Sequence, residues 1–299
     1  MPLTKDKEKA ANYETLFALT GDRERSWKLL MALPDPEIPL TESAEVIASV
    51  IGVSAERIIS ERASIASAFA SERIETNVLY PEHPYFPEER GEFFPVIYAS
   101  GNLELLKKRK VTFLGMPRPS MQGKSDALDA LGCLMKEDVT VLLTLDDGLP
   151  VFAAQFLLNN SGNVIAVLPS PVSKCQDKEQ AMLRGRIYAS GLLLSVFPPS
   201  QKIERWLVMV RNSFLSSITE AAFLAEEKDG GPSWAVFDRV LASGGRAMLS
   251  SSMLEVPSYT FAAKRINNGA LTFSSHRDLK RIIPKARKEI DGSDLFSFS

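Results

Sequence analysis

The sequence predicts an α/β protein: a doubly wound, mostly parallel sheet with a small all-helical domain in front of it. Three observations predict this. Apolar runs without strict alternation recur at 96–98, 111–114, 139–145, 164–168, 192–196, 221–226, 246–249 and 270–273. Such runs are strands buried on both faces, as in a sheet covered by helices. Helical patterns fall between several of them, at 124–137, 150–159, 176–190, 233–243 and 258–268, which is the alternation of βαβ units. Residues 1–76 carry helical spacing throughout.

The helical part reads as four short helices. Tyr13, Leu16, Phe17 and Leu19 share one face, and Gly21 and Asp22 punctuate. Trp27, Leu30 and Met31 form a second face, ended by Pro34, Pro36 and Pro39, since proline removes a donor and restricts its predecessor. A third helix starts at Thr41 with Val46, Ile47 and Val50 inward, and a fourth runs from Ser54 to about Ile74. The proline-rich, aromatic stretch 79–87 then reads as a rigid connector lying on the next domain. The expected division is a helical domain at 1–76, an α/β domain at 77–283 and a loosely held tail at 284–299.

The run from Val111 ends in Gly115, a polar turn reaches Gly123, and an amphipathic helix begins at about Lys124. A strand feeds the first phosphate-binding turn of a Rossmann-like domain in this way. Gly115 lets the chain turn. Ser120, Gln122, Gly123 and Lys124 stand at the helix start, where free N–H groups and the dipole favour an anion. Ser120 reads equally well as a plain helix cap. Arg118 adds a guanidinium suited to a bidentate phosphate contact.

Composition bounds the function classes. The chain has 299 residues, 45% apolar and 24% charged, with a formal net charge of −2. A core can form without staples, and any nucleic-acid site must be a local patch rather than a global basic field. Two cysteines, Cys133 and Cys175, and two histidines, His83 and His276, form no cluster with metal-ligand spacing. Cys133 reads as core, in keeping with a reducing cytosol. No cofactor is called for. No apolar leader or membrane-length run is visible, so the expectation is a cytoplasmic protein without a membrane partner.

Other charged and aromatic groups have plainer readings. Asp146 and Asp147 suit a solvated turn better than a catalytic pair, because adjacent carboxylates on a strand point apart. Lys107, Lys108, Arg109 and Lys110 precede a strand, at the sheet end opposite its ligand crevice. Arg277, Lys280, Arg281, Lys285, Arg287 and Lys288 form a second basic cluster. Tyr80, Tyr85 and Phe86 suit packing better than base stacking.

Taken in order, the segments resemble the bacterial DNA-processing protein A family (DprA, also called Smf). Pro95, Tyr98, Gly101 and Asn102 resemble its entry strand P-x-x-L-Y-x-x-G-N. The turn Gly115, Arg118, Ser120, Gly123 is similar to G-S-R-x-x-S-x-x-G. Gly162 to Leu168 is similar to G-x-T-I-A-V-L, and Gly191, Leu194, Ser195, Pro198 and Pro199 to G-x-x-L-S-E-x-P-P. Arg211, Asn212 and Ser213 stand at its R-N-R tract, Leu224 to Glu226 at its strand ending in glutamate, and Ile266, Gly269 and Ala270 at its L-I-x-x-G-A. The resemblance spans about residues 77–275.

It implies a Rossmann-like domain that binds and protects single-stranded DNA. It also implies help in loading a RecA-type recombinase during natural transformation and recombination, and a possible homodimer. Arg211 and Asn212 would touch the DNA backbone beside the switch-point crevice. Departures accompany it. Pro117 stands in the register of the family's arginine, with Arg118 displaced by one; Ser213 replaces the second arginine of R-N-R; Val196 replaces the glutamate of L-S-E. Asp146 and Asp147 sit where an anion site would want no carboxylate, and the N-terminal helices lack the G-x-G hairpin of many members.

The leading expectation is therefore a DprA-like single-stranded DNA-binding protein with a degenerate, weakened site and no catalytic residue. The alternatives are a nucleotide-processing enzyme of the phosphoribohydrolase type and a non-catalytic interaction scaffold. The enzyme reading needs P-G-G-x-G-T-x-x-E. The run 229–234 supplies two glycines, Gly230 and Gly231, but not the threonine or glutamate at the required offsets.

Overall fold

The computed structural model describes residues 2–88 and 91–285. Four helices open the chain: α1 (Lys5–Thr20), α2 (Arg23–Met31), α3 (Ala44–Ile51) and α4 (Ala55–Ala70). Their starts follow from side-chain caps: Thr4, Asp22 and Ser54 accept from the N–H groups of Lys7, Arg25 and Arg57. A buried polar network fixes their arrangement. Arg62 Nε donates to Asn12 Oδ1 at 2.9 Å, and its guanidinium also meets Glu8. Asn12 Nδ2 in turn donates to the carbonyls of Pro36 and Ile38 at 2.9 and 2.8 Å. This locks the proline-rich link between α2 and α3 onto α1.

The rest of the chain builds a nine-stranded sheet. Its elements are β1 (Asn77–Leu79), β2 (Ile97–Gly101), β3 (Lys110–Leu114), α5 (Met121–Lys136), β4 (Thr140–Leu143), α6 (Leu149–Asn159), β5 (Val164–Val167) and α7 (Lys178–Ser190). Then come β6 (Leu192–Ser195), α8 (Leu207–Ser217), β7 (Ala221–Leu224), α9 (Ser233–Ala242), β8 (Arg246–Ser250), α10 (Thr260–Asn267), β9 (Leu271–Phe273) and α11 (His276–Leu279). The strand order is β1-β2-β6-β5-β4-β3-β7-β8-β9. The pairs from β6 to β9 are parallel; β1 and β2 pair antiparallel at one edge.

Two apolar layers sandwich the sheet. Val111 and Phe113 of β3 pack with Ala127, Leu131, Ala153 and Ile187 of α5, α6 and α7. Leu114 and Leu224 pack with Phe214, Phe237 and Ala262 of α8, α9 and α10 on the opposite side. The N-terminal helices join the first layer over β2, where the rings of Phe69 and Tyr98 lie 5.9 Å apart. From β3 the chain winds toward β6 with helices on one face. It then crosses back to β7, on the other side of β3, with helices on the second face. The reversal leaves a crevice at the C-terminal ends of β3, β4 and β7, where such sheets bind ligands.

Several elements differ from expectation. β1 is an unexpected strand: it lies between the fourth helix and the connector, overlapping the latter only at Leu79, and it needs only three residues and an edge position. The third helix is preceded by a tight 3-10 turn over Leu40–Ser43, and the fourth ends at Ala70 rather than near 74. α5 starts at Met121, one turn before Lys124, because Ser120 caps it. Of the expected tail only Pro284 and Lys285 are described; Arg287 and Lys288 lie outside the described residues. No helix among the described residues is long and apolar enough to cross a membrane.

Candidate nucleic-acid interface

The crevice is a cavity of about 160 Å³ lined by Gly115, Thr144, Asp146, Asp147, Arg211 and Asn212, among others. Three loops shape it. After β3 the chain turns at Gly115, and Met116 N–H donates to the Glu226 carbonyl at 2.9 Å. After β4 it turns at Gly148, whose φ of +85° favours glycine. A Cβ at Gly148 would also collide with Pro117. Leu149 N–H, at the start of α6, donates to Met116 O at 3.2 Å, so this helix end is capped by the backbone of the neighbouring loop.

The start of α5 is filled from within. Ser120 Oγ accepts from Gly123 N–H at 3.0 Å, and Ser120 N–H donates to Glu226 Oε2 at 2.7 Å. A Cβ at Gly123 would collide with that carboxylate. Glu226 is buried, and Tyr259 Oη donates to its other oxygen at 3.1 Å. Thus a carboxylate of β7's end stands where the sequence led one to expect an external anion. The helix dipole and N–H groups explain its stability there. α9 repeats the device: buried Glu227 accepts from Ser233 N–H at 3.2 Å and Lys228 N–H at 3.1 Å.

Arg211, only 1% exposed, lies on α8 with its guanidinium held on both edges. Nη2 meets Asp146 Oδ2 at 2.8 Å, and Nε donates to Asn212 Oδ1 at 2.8 Å. Asp146 is half exposed in the loop after β4, as a solvated turn would have it, and also serves as the ion-pair partner of Arg211. Arg118, Ser120, Gln122 and Lys124 are exposed. Gln122 is turned along α5 to Asp126, at 2.8 Å. The side chains of Arg118 and Lys124 make no hydrogen bond or ion pair among the described residues. The structure thus brings Gly115, Arg211 and Asn212 into one cavity and leaves Arg118, Ser120, Gln122 and Lys124 outside its lining, Arg118 next in sequence to the lining residue Pro117 and the others at the start of α5. Ser213 does not line the cavity; its hydroxyl donates to Glu92, a carboxylate also held by Arg23.

The remaining groups are committed elsewhere. Tyr80 is buried and stacks on Trp27 at 6.0 Å. Lys107 to Lys110 and Lys285 border a small recess at the opposite end of the sheet. There Lys108 pairs with Asp138 at 2.9 Å and Lys280 with Glu137 at 2.8 Å. Among the described residues, no group of three or more His, Cys, Asp or Glu side chains could hold a metal ion.

The family model for DNA recombination-mediator protein A matches residues 77–283. The chain belongs to this family. It is similar to the DNA processing protein DprA of Bacillus subtilis, at 20% identity over 257 residues, 85% of this chain and 86% of that one. With DprA of Streptococcus pneumoniae it shares 26% identity over 162 residues, 53% of this chain and 57% of the other. With protein Smf of Synechocystis it shares 26% over 181 residues, 57% and 46% of the two chains. The chain thus spans about half the length of the last two relatives. The crystal structure of the Streptococcus pneumoniae protein superposes with a TM-score of 0.72 at 20% identity, covering 95% of this chain and all of that one. A structure of DNA processing protein A from Helicobacter pylori, concerned with its single-stranded DNA binding mode, gives 0.60 at 14%, covering 70% and 96%. At these identities the structures establish the shared fold.

Proposed function

We propose that this family member binds single-stranded DNA weakly across the rim of the switch-point crevice and acts as a non-catalytic accessory to recombination, with a RecA-type recombinase as partner. The observation that carries the reading is the pairing of a family crevice with internal neutralisation. The two unpartnered cations beside it, Arg118 and Lys124, can meet phosphates, while Glu226, Glu227 and the Arg211–Asp146 pair occupy the deeper donors. Backbone affinity scales with the number of phosphates neutralised. Two cations support binding on the order of micromolar or weaker at physiological salt, the non-specific range. Among the described residues that line the crevice, the Ser233 hydroxyl donates to the Gly115 carbonyl rather than to a side-chain base, in keeping with binding rather than turnover.

The test is a fluorescence-anisotropy titration of the full chain with labelled oligo-dT. Lys124→Glu reverses one rim charge without touching the core and is expected to weaken binding about tenfold at low salt. Unchanged affinity in the folded variant places the DNA elsewhere and overturns the reading.

A further inference from the structure

A second cavity, about 630 Å³, lies away from the crevice, between the C-terminal end of α4, the loop after β5 and the outer face of α7. Arg73, Lys174, Cys175, Arg184, Tyr188 and Leu193 are among its walls. Arg184 is the unusual member. It is only 7% exposed, yet it forms no ion pair with a carboxylate among the described residues. Nη1 donates to Ser170 Oγ at 3.1 Å and to Lys174 O at 2.7 Å. Nε is buried with no partner, and Nη2 makes no hydrogen bond among the described residues. Burial lowers its pKa, opposed only by the nearby Cys175 thiol.

An arginine stays charged, and a buried guanidinium without a counter-ion is strongly unfavourable. The surroundings do not supply that counter-ion. Glu72, the carboxylate on this wall, is held by Lys7 Nζ at 3.1 Å. Lys174 Nζ donates to Gln201 O at 3.1 Å, and exposed Arg73 adds positive charge at the mouth. The pocket therefore combines a fixed guanidinium fork, two further cations and an apolar wall with an aromatic ring. Gly185, an exposed residue of the α7 wall, leaves space beside Arg184: a Cβ there would meet nothing within 4 Å.

We propose that this cavity is an anion site for the phosphate of a nucleotide, with Arg184 as the deep ligand and Tyr188 and Leu193 facing the base. The volume lies within the usual range for small-molecule sites. A guanidinium fork with unmade donors suits phosphate oxygens. The phosphate can come from a free mononucleotide or from a DNA strand. The site is independent of the crevice, since none of the rim residues Arg118, Ser120 or Lys124 lines it.

The experiment is protection of Cys175 from iodoacetamide, followed residue by residue by mass spectrometry on the full chain, with thymidine monophosphate, inorganic phosphate, thymidine and oligo-dT as probes. Cys133, far along the sequence on α5, serves as the internal control. At ligand tenfold above its dissociation constant, alkylation of Cys175 should slow about tenfold, with Cys133 unchanged. Thymidine should give no protection. Protection by the mononucleotide identifies a free ligand; protection by oligo-dT alone identifies a strand phosphate. Arg184→Met should abolish protection. Gly185→Phe fills the cavity while leaving Arg184 in place, and should abolish it too even if Arg184→Met does not fold. Binding in Arg118→Glu should be unaffected, which separates this site from the crevice. No protection by any phosphate-bearing probe at millimolar concentration, or full protection in Gly185→Phe, overturns the proposal.

Discussion

Glu14→Gln is expected to stabilise the protein at pH 8 while leaving it nearly unchanged below pH 5. Glu14 sits on α1, buried, and receives the Tyr98 hydroxyl at 2.7 Å. Burial pushes its pKa from 4.5 up to about 8, against smaller opposing effects of the Tyr98 hydrogen bond and the Arg23 charge. The native chain then holds a proton that the unfolded chain has released. Native stability therefore falls as pH rises from about 4.5 to about 8. The loss over that window is on the order of 4 kcal/mol. Glutamine keeps the acceptor for Tyr98 and carries no charge, so the variant should lose this slope. Thermal melts at several pH values check it. A parallel pH profile in the two proteins would mean that Glu14 is ionised in the native state. The consequence reaches the architecture, because Glu14 and Tyr98 join the N-terminal helices to β2.

The second large effect is expected at Glu226. Glu226→Gln keeps one oxygen for Ser120 N–H and turns its amide N–H2 toward Tyr259, whose hydroxyl oxygen becomes the acceptor, while removing the negative charge at the start of α5. The helix N-terminus then regains its preference for an external anion. Removing a charge a few ångströms from a bound phosphate is expected to tighten oligo-dT binding about tenfold at low salt. The change in stability should be within about 1 kcal/mol, the scale of a carboxylate at a helix end. Titration of both proteins, with melts as a folding control, measures the two quantities together. Equal affinities would show that DNA phosphates do not approach α5.

The sheet was legible because its central strands are short, apolar and separated by helical periodicity. Val164–Val167 and Ala221–Leu224 are wholly buried, and their sequences have no other easy reading. Two elements escaped for physical reasons. Asn77–Leu79 is too short and too close to prolines to show a period, and it exists only because β2 offers an open edge. α8 is absent from the predicted helices because its apolar opening, residues 207–210, is too short to distinguish helix from strand by itself.

The turn from Gly115 to Lys124 was legible as a helix start, and Ser120 does cap α5. What filled that start was not. The Ser120–Glu226 contact joins residues 106 apart in sequence, and Arg211–Asp146 joins residues 65 apart. Local patterns show that Glu226 ends a strand and that Asp146 follows one. Only the order of β4, β3 and β7 makes those ends neighbours. Gly123 then takes its meaning from Glu226: it leaves room for a carboxylate already present.

The salt dependence of oligo-dT binding by the unaltered chain tests the central claim most directly. Affinity is measured by anisotropy between about 50 and about 200 mM salt, and the logarithm of the association constant is plotted against that of salt. Two phosphate contacts, by Arg118 and Lys124, predict a slope near −1.4 for a single strand, with micromolar or weaker affinity at the upper salt. The double variant Arg118→Glu, Lys124→Glu should abolish measurable binding. A steep slope of about −4 or beyond with nanomolar affinity, kept by the double variant, would contradict the account and place the DNA on a different and more basic surface.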